Sequence, residues 1–332
     1  MTVLFDRLDP PRDQDYTEDL KAREAPEFEV AVALRALGHD VLLLGFHNDV
    51  AAIIGGLRAQ EPELVFNAVE SFGGDFRKDA YVAALLEMLG YPYTGSGPEG
   101  LMLGRDKGQS KKLLAYHRVR VPAFKVFRRR SRARRASPLK YPLFVKPLDQ
   151  DGSFAIAQSS VAENDAELSE RLTYIHKKLE HDAIVEEHVV GRELYVGVLG
   201  NARPRVLPVI EMKFTNPAPD QWKIATHKAK WDEEYRKKRG IVNEPARDLD
   251  AATVARLQKA ALAAYRTLRI RDYGRADFRM KEDGTVYLIE MNPNPFLGEG
   301  EDFADAAKEA GISYNQLIET IVEEARRRTR AG

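Results

Sequence analysis

The sequence predicts a parallel α/β layer followed by antiparallel α+β structure. Three observations carry this reading. Strand-like and helix-like segments alternate through the first hundred residues, the pattern of a parallel layer. The strand-like runs "DAIVEEHV", "RELYVGVLG" and "RPRVLPVIEM" then follow one another with no helix between them. A hairpin pattern, "GRADFRMKEDGTVYLIEMNPNP", spans Gly274 to Pro295.

In order, "TVLFD" reads as a short buried strand. "PEFEVAVALRALGHDVLLLGF" reads as a helix stopped at Gly38, then a strand. "PELVFNAV" is a further strand, and "DAYVAALLEMLG" has apolar residues at helical spacing and ends at Gly90. "GPEGLMLGRDKGQSKKLLAYHRV" gives a helix before Pro122. "YPLFVKP" and "AIAQSSV" read as two strands joined by "LDQDGSF", and "ENDAELSERLTYIHKKLE" as an amphipathic helix. Residues 214–245 lack periodicity and carry many charges, which predicts a long loop of the lid or binding kind. "AATVARLQKAALAAYRTL" is a strong helix, and a last helix lies near "SYNQLIETIVEEARRR". No internal repeat is present.

Composition narrows the function. With 332 residues and 44% apolar content the chain can build more than one domain. The 51 basic and 51 acidic residues cancel, which argues against a dedicated nucleic-acid binder. The basic run "RRRSRARR" (Arg128–Arg135) has no interleaved aromatics and reads as a solvated loop. Cysteine is absent, which excludes disulfides, thiolate nucleophiles and Cys-ligated zinc. No signal-peptide pattern and no apolar run of membrane length appear, so the expectation is a cytoplasmic protein without membrane partners.

The hairpin carries the chemistry. With Asp283-Gly284 as the turn, residue 281 faces 286, 279 faces 288, 277 faces 290 and 275 faces 292. Alternation then gives a core face of Ala276, Phe278, Met280, Tyr287, Ile289 and Met291. The other face gathers Arg275, Asp277, Glu290 and Asn292. Asp277 and Glu290 are opposed, with β-carbons about 5 Å apart. Like charges repel there, and a hard cation such as Mg²⁺, which takes oxygen ligands, would relieve them. The alternative is a partly solvated pair neutralised by Arg275 and Arg279.

At this point the sequence resembles the ATP-grasp superfamily, in its D-alanine–D-alanine ligase-like branch, over roughly residues 60–328. The resemblance rests on "YPYTGSG", "RDKGQSK", "FVKP", "IVEEHVVGRELYVGVLG", "GRADF", "LIEMNPNP" and "AAKEAGISYNQLIETI", in that order and spacing. It implies an ATP-grasp fold: an N-terminal α/β domain over 1–104, a central subdomain over 105–190 and a C-terminal subdomain over 191–332 with the lid at 214–245. ATP would lie between the last two, with Mg²⁺ as metal and Mn²⁺ able to replace it. The resemblance implies phosphate contacts from Lys107 and Lys146, and from Gly152 and Ser153 in a covering loop. Glu186 would accept from the adenine amino group, Val189 would offer its backbone and Glu193 would bind ribose. Lys230 would meet the γ-phosphate and the activated carboxylate, and Arg275 would stabilise the tetrahedral oxyanion. Asp277, Glu290 and Asn292 would hold the metal. His227 reads as a loop residue rather than a catalyst.

The implied activity joins a small carboxylic acid to a small amine through an acyl phosphate, releasing ADP and phosphate. A homodimer stays open. The chain departs from the dipeptide ligases after the metal motif. There "MNPNPFLGEGEDF" has Phe296 for their Gly, and Glu301-Asp302 near their Ser-Leu pair. The "GGxSxE" motif is missing, "FDRLDPPRDQD" stands in its place, and Trp231 replaces a lid tyrosine. These departures predict a substrate pair other than two D-alanines, in peptide or natural-product biosynthesis. An authentic D-alanine–D-alanine ligase and a non-catalytic ATP-binding regulator are the alternatives.

Overall fold

The computed structural model describes residues 1–7, 26–129, 138–218 and 221–331. The basic run from Arg130 onward, and most of "FDRLDPPRDQD", lie outside the described residues.

In the first layer β1 (Thr2–Asp6) lies between β2 (Leu42–Phe46) and β3 (Val65–Asn67), parallel to both. Alternation sends Val3 and Phe5 to one core and Leu4 to another. Helix α1 (Pro26–Ala36) precedes Gly38, whose φ is 87°. An unexpected helix, α2 (Val50–Gln60), follows β2. Asp49 caps it by accepting from the Ala51 N–H at 2.7 Å. Two glycines weaken its helical signal. A Cβ at Gly56 would come within 2.4 Å of Leu44 Cδ1, so a larger residue there would require the Leu44 side chain to move. Helix α3 (Asp79–Leu89) ends at Gly90 as expected.

The next helix is two helices. α4 (Pro98–Arg105) stops and α5 (Lys107–Tyr116) starts at Asp106. Its carboxylate accepts from the N–H groups of Gly108 and Gln109 at 3.0 and 2.9 Å, capping α5.

The central sheet has the order β4-β7-β5-β6, formed by β4 (Phe124–Phe127), β5 (Leu143–Pro147), β6 (Val161–Ala162) and β7 (Ala183–Glu187). It packs on α6 (Asp165–Lys177). The strand expected over "AIAQSSV" does not form beyond its last residue. Gly152, Ser153 and Ala155 have φ of 62°, 59° and 57°, so the chain turns where a strand would extend. Arg171 holds that turn, donating to the Ala155 carbonyl and, at 2.9 Å, to Ser160 Oγ.

The third sheet is antiparallel, in the order β10-β9-β8-β11-β12. Its strands are β8 (Arg192–Leu199), β9 (Arg205–Phe214), β10 (Ile241–Pro245), β11 (Tyr273–Met280) and β12 (Val286–Pro293). The segment 214–245 is therefore not a plain loop. It holds α7 (His227–Trp231), α8 (Glu233–Arg239) and β10, whose pairing with β9 runs Ile241↔Phe214 to Pro245↔Ile210. Thr226 and Asp232 cap the two short helices. Helix α9 (Ala251–Thr267) covers one sheet face and α10 (Asp302–Glu309) the other. Helix α11 (Tyr314–Ala331) joins α1, so Phe303, Leu317 and Tyr195 share one core with Val3, Phe5 and Leu34.

The β11–β12 hairpin keeps the expected partners where charge gathers: Asp277↔Glu290 and Arg275↔Asn292. Beyond them the register slips by one, to Phe278↔Leu288 and Met280↔Val286. Ile289 is the extra residue of the bulge. Leu288 therefore joins Phe278 and Met291 in the core, where Ile289 and Tyr287 were expected. Among the described residues, no helix is long and apolar enough to cross a membrane.

Candidate active site

A cleft lies between the central and third sheets, and its walls hold most of the residues singled out by sequence. Lys146 comes from β5, where it is buried. Lys107 opens α5 and is also buried, with Nζ donating to the Gln150 carbonyl at 2.6 Å and to Asp151 at 2.8 Å. Both lysines approach Glu290, at 3.6 Å from Lys107 and 3.7 Å from Lys146. Lys230, on α7, lines the same cleft, as do Ser153, Glu186, Val189, Glu193 and Asp277. Ser153 Oγ donates to the Ala225 carbonyl at 2.9 Å. Glu193 accepts from Arg279 at 2.5 Å and from the Tyr195 hydroxyl at 2.9 Å.

Gly152, Arg275 and Asn292 stand behind this lining. Arg275 lies 4.9 Å from the Tyr195 ring centre and donates to both oxygens of Asp277, at 2.7 and 2.9 Å. It also reaches Asp302 at 3.3 Å. Asn292 Nδ2 donates to the Arg275 carbonyl at 3.4 Å. Half of the neutralised-pair alternative is thus present: Arg275 faces Asp277. Arg279 is used elsewhere, on Glu193.

The two opposed acids respond differently to their surroundings. Burial, against which Arg275 works, pushes the Asp277 carboxyl up, and Glu290 adds to the rise. Burial also opposes charge on Glu290, but Lys107, Lys146, Lys230 and Lys111 together outweigh it and hold that carboxyl well below its usual range.

The cleft has a cationic end and an apolar end. At the apolar end Phe144 stacks on His188, with ring centres 5.7 Å apart, and Trp222 meets His188 edge-on at 5.2 Å. Ile156, Ile224 and Phe278 complete the wall. Burial, reinforced by Arg279, lowers the His188 pKa to about 4, so the ring is neutral and apolar in character near pH 7. The 214–245 segment meets the chain after β5 along several bonds. Trp231 Nε1 donates to the Gly152 carbonyl at 3.1 Å, and Gln158 exchanges two bonds with the Trp222 backbone.

A family model described as D-ala D-ala ligase C-terminus matches residues 113–323. The D-alanine–D-alanine ligase of Desulforudis audaxviator is 32% identical over 304 residues, covering 90% of this chain and 92% of the relative. The chain belongs to the D-alanine–D-alanine ligase family. An uncharacterized protein of Sinorhizobium fredii, y4sG, is likewise 32% identical over 305 residues, covering 90% and 87% of the two chains. The solved D-alanine–D-alanine ligase from Bacillus anthracis complexed with ATP has the same fold. Its TM-score is 0.76 at 21% identity, over 99% of this chain and 98% of that one. This family member is therefore an ATP-grasp, ATP-binding ligase that forms carbon–nitrogen bonds.

Several residues of the family member's cleft escaped the sequence reading. Lys111 is fully buried, with Nζ donating to the Ile289 carbonyl at 2.5 Å and lying 3.3 Å from Glu186. Burial lowers its pKa to about 8. The available signal was its place one helical turn after Lys107, on the same face of α5. Its acceptor, the Ile289 carbonyl, belongs to the extra residue of the bulge. Glu186 sits between Lys111 and Lys146, 3.7 Å from the latter, so its carboxylate is already shared by two cations. Asp151, bonded to Lys107 and to Arg105, joins the covering loop to α4 and α5.

Proposed function

We propose that this ligase uses ATP to join a small carboxylic acid to a small amine, with a substrate pair other than two D-alanines. The observation that carries the reading is the cleft itself. Its apolar end suits a purine, and its other end directs Lys107, Lys146 and Lys230 at the opposed acids Asp277 and Glu290. Triphosphate charge would lie among the lysines, and Ser153 and the Gly152 turn would cover it. Glu193 suits ribose hydroxyls, and the Val189 backbone the purine edge.

Asp277, Glu290 and Asn292 fit a divalent cation. They are oxygen donors on facing strands, and the two opposed carboxylates, Asp277 and Glu290, would share a hard cation between them. Mg²⁺, or Mn²⁺ in its place, would neutralise phosphate oxygens there. The acid substrate's carboxylate oxygen attacks the γ-phosphorus and ADP leaves. The amine nitrogen then attacks the acyl carbon, loses a proton, and phosphate leaves. Lys230 faces the charge that moves between phosphate and acyl groups. Arg275 would stabilise the oxyanion if it turns from Asp277 when the metal binds. Positioning and charge neutralisation supply the catalysis.

Phe296 supports the departure from D-alanine. Its ring, where the dipeptide ligases have Gly, meets Trp231 edge-on at 6.0 Å, and Trp231 follows Lys230 in the chain. Asp302 does not support it. That acid was expected to repel a substrate carboxylate, but Arg275 and Asn243 already satisfy it. The second reading, an authentic D-alanine–D-alanine ligase, is favoured by the names of the relatives. ADP release with hydroxylamine as a general amine tests both. Hydroxylamine attacks the acyl phosphate and gives a hydroxamate whose mass names the acid. A D-alanine hydroxamate as the best product, with efficient dipeptide formation from D-alanine alone, would establish the second reading.

A further inference from the structure

The Arg275 guanidinium is held by two carboxylates of unequal grip. Nε and Nη2 donate to the two oxygens of Asp277, at 2.7 and 2.9 Å. Nη1 donates to Asp302 Oδ2 at 3.3 Å. The first contact is a bidentate pair and the second a single, longer bond.

Asp302 is itself fixed. It is 8% exposed and opens α10, where the N–H groups of the first turn favour negative charge. Its other oxygen, Oδ1, accepts from Asn243 Nδ2 on β10. A carboxylate only accepts, so the Asn243 amide must present its nitrogen. Asp302 therefore ties β10, β11 and α10 together at one carboxylate. It stands in the run "GEGEDF", where this chain departs from the dipeptide ligases.

Asp277 has two uses that conflict. Arg275 occupies both of its oxygens, yet the opposed pair Asp277 and Glu290 must offer oxygen to share a cation. The Arg275 side chain is only 14% exposed. Released from Asp277 with no other partner, it would be a buried, uncompensated charge beside the cation that displaced it, a costly state.

We propose that Asp302 is the second anchor of Arg275, keeping the guanidinium in place when Asp277 turns to a divalent cation. It is a positioning residue and acts through Arg275. The proposal rests on the ligase reading and names what lets one carboxylate serve Arg275 and the metal in turn.

Isothermal titration of a non-hydrolysable ATP analogue, with Mg²⁺ and again in excess EDTA, tests this. In the wild type Mg²⁺ should tighten binding. In Asp302→Asn the gain from Mg²⁺ should shrink by about tenfold or more, because the released guanidinium has lost its charged partner. Affinity in EDTA should stay within about twofold of the wild type, since Arg275 then remains on Asp277. Asn243→Ala, which leaves the Asp302 charge but loosens its hold, should reduce the gain by less. In an Arg275→Met background there is no guanidinium to anchor, so adding Asp302→Asn should change the gain by less than about twofold. An unchanged gain in Asp302→Asn would overturn the proposal. So would an equal fall with and without Mg²⁺, the mark of a merely structural role. An equal loss in the Arg275→Met background would overturn it too, because Asp302 would then act on the cation directly. The ligase reading fails differently. A wild type that binds the analogue equally with and without Mg²⁺, and releases no ADP with hydroxylamine, would sink that reading and this proposal with it.

Discussion

The reaction cleft and a second pocket, walled in part by Glu27, Glu70 and Phe296, differ in how their charge is balanced. In the reaction cleft, Lys107, Lys111 and Lys146 stand against Glu186 and Glu290, and each ammonium has a protein partner. In the second pocket neither Glu27 nor Glu70 has an ion-pair partner among the described residues; Glu27 is half-buried with its carboxyl raised, and Glu70 is exposed. A site whose charges already have partners can be preformed and stable without a ligand. A half-buried charge without a partner stays costly. The difference is also one of legibility. Paired lysines sit in recognisable runs, whereas Glu27 and Glu70 are far apart in sequence and meet only when α1 packs beside the chain after β3.

The sharpest break of this comparison lies in the hairpin. Asp277→Asn and Glu290→Gln should each lower ADP release by about 10³-fold, the scale seen when a preorganised electrostatic contact to a reacting group is lost. Far-UV circular dichroism should not change, because both side chains face the cleft. ADP release by the wild type in excess EDTA, or above a tenth of normal in either variant, would mean that the opposed acids do not hold a metal.

Next in size are the lysines. Lys107→Ala and Lys146→Ala should weaken binding of an ATP analogue by about ten- to a hundredfold, since a hydrogen bond to a charged group contributes about 1.5–3 kcal/mol. Analogue affinity within about twofold of the wild type in both variants would show that these lysines do not bear on the triphosphate.

How far the sequence reached can be judged from particular residues. The parallel first layer and the pairing Asp277↔Glu290 follow from alternation, which is local. The slip at Ile289 does not; the carbonyl of that residue accepts from Lys111, 178 positions away. The single helix expected over 98–118 is divided by Asp106, whose short carboxylate favours a cap over a helix interior. Helix α2 was hidden by Gly55 and Gly56, which weaken the helical signal, and Leu44 packs against Gly56. Residues 241–245 pair with β9, a tertiary choice that charged, aperiodic sequence cannot announce.

A smaller effect concerns the lid. Two tryptophans of the 214–245 segment bond to the chain after β5: Trp231 Nε1 donates to the Gly152 carbonyl, and the Trp222 carbonyl accepts from Gln158. Trp231→Phe keeps the ring against Phe296 and removes the bond to the Gly152 carbonyl. One such bond contributes about 0.5–1.5 kcal/mol, so amide exchange at Ala229 and Lys230 should rise by up to about tenfold. An ATP analogue should restore much of the protection. Unchanged exchange in the variant would assign closure to Ser153 and Gln158 instead.

The smallest effect tests the unpaired acids without any ligand. Burial raises Glu27 from 4.5 to about 7, so the folded state binds its proton more tightly than the unfolded chain does. For such a group the stability is fullest below pH 4.5 and is lost as pH rises through about 7. Glu27→Gln carries no charge at any pH and escapes that loss. Its stability should match the wild type near pH 4.5 and exceed it at pH 8 by roughly 1 kcal/mol, a value reduced for screening in an open pocket. Urea midpoints at the two pH values measure this. A stability gain of equal size at both pH values would trace the effect to helix α1 packing, not to charge, and would remove the electrostatic contrast between the pockets.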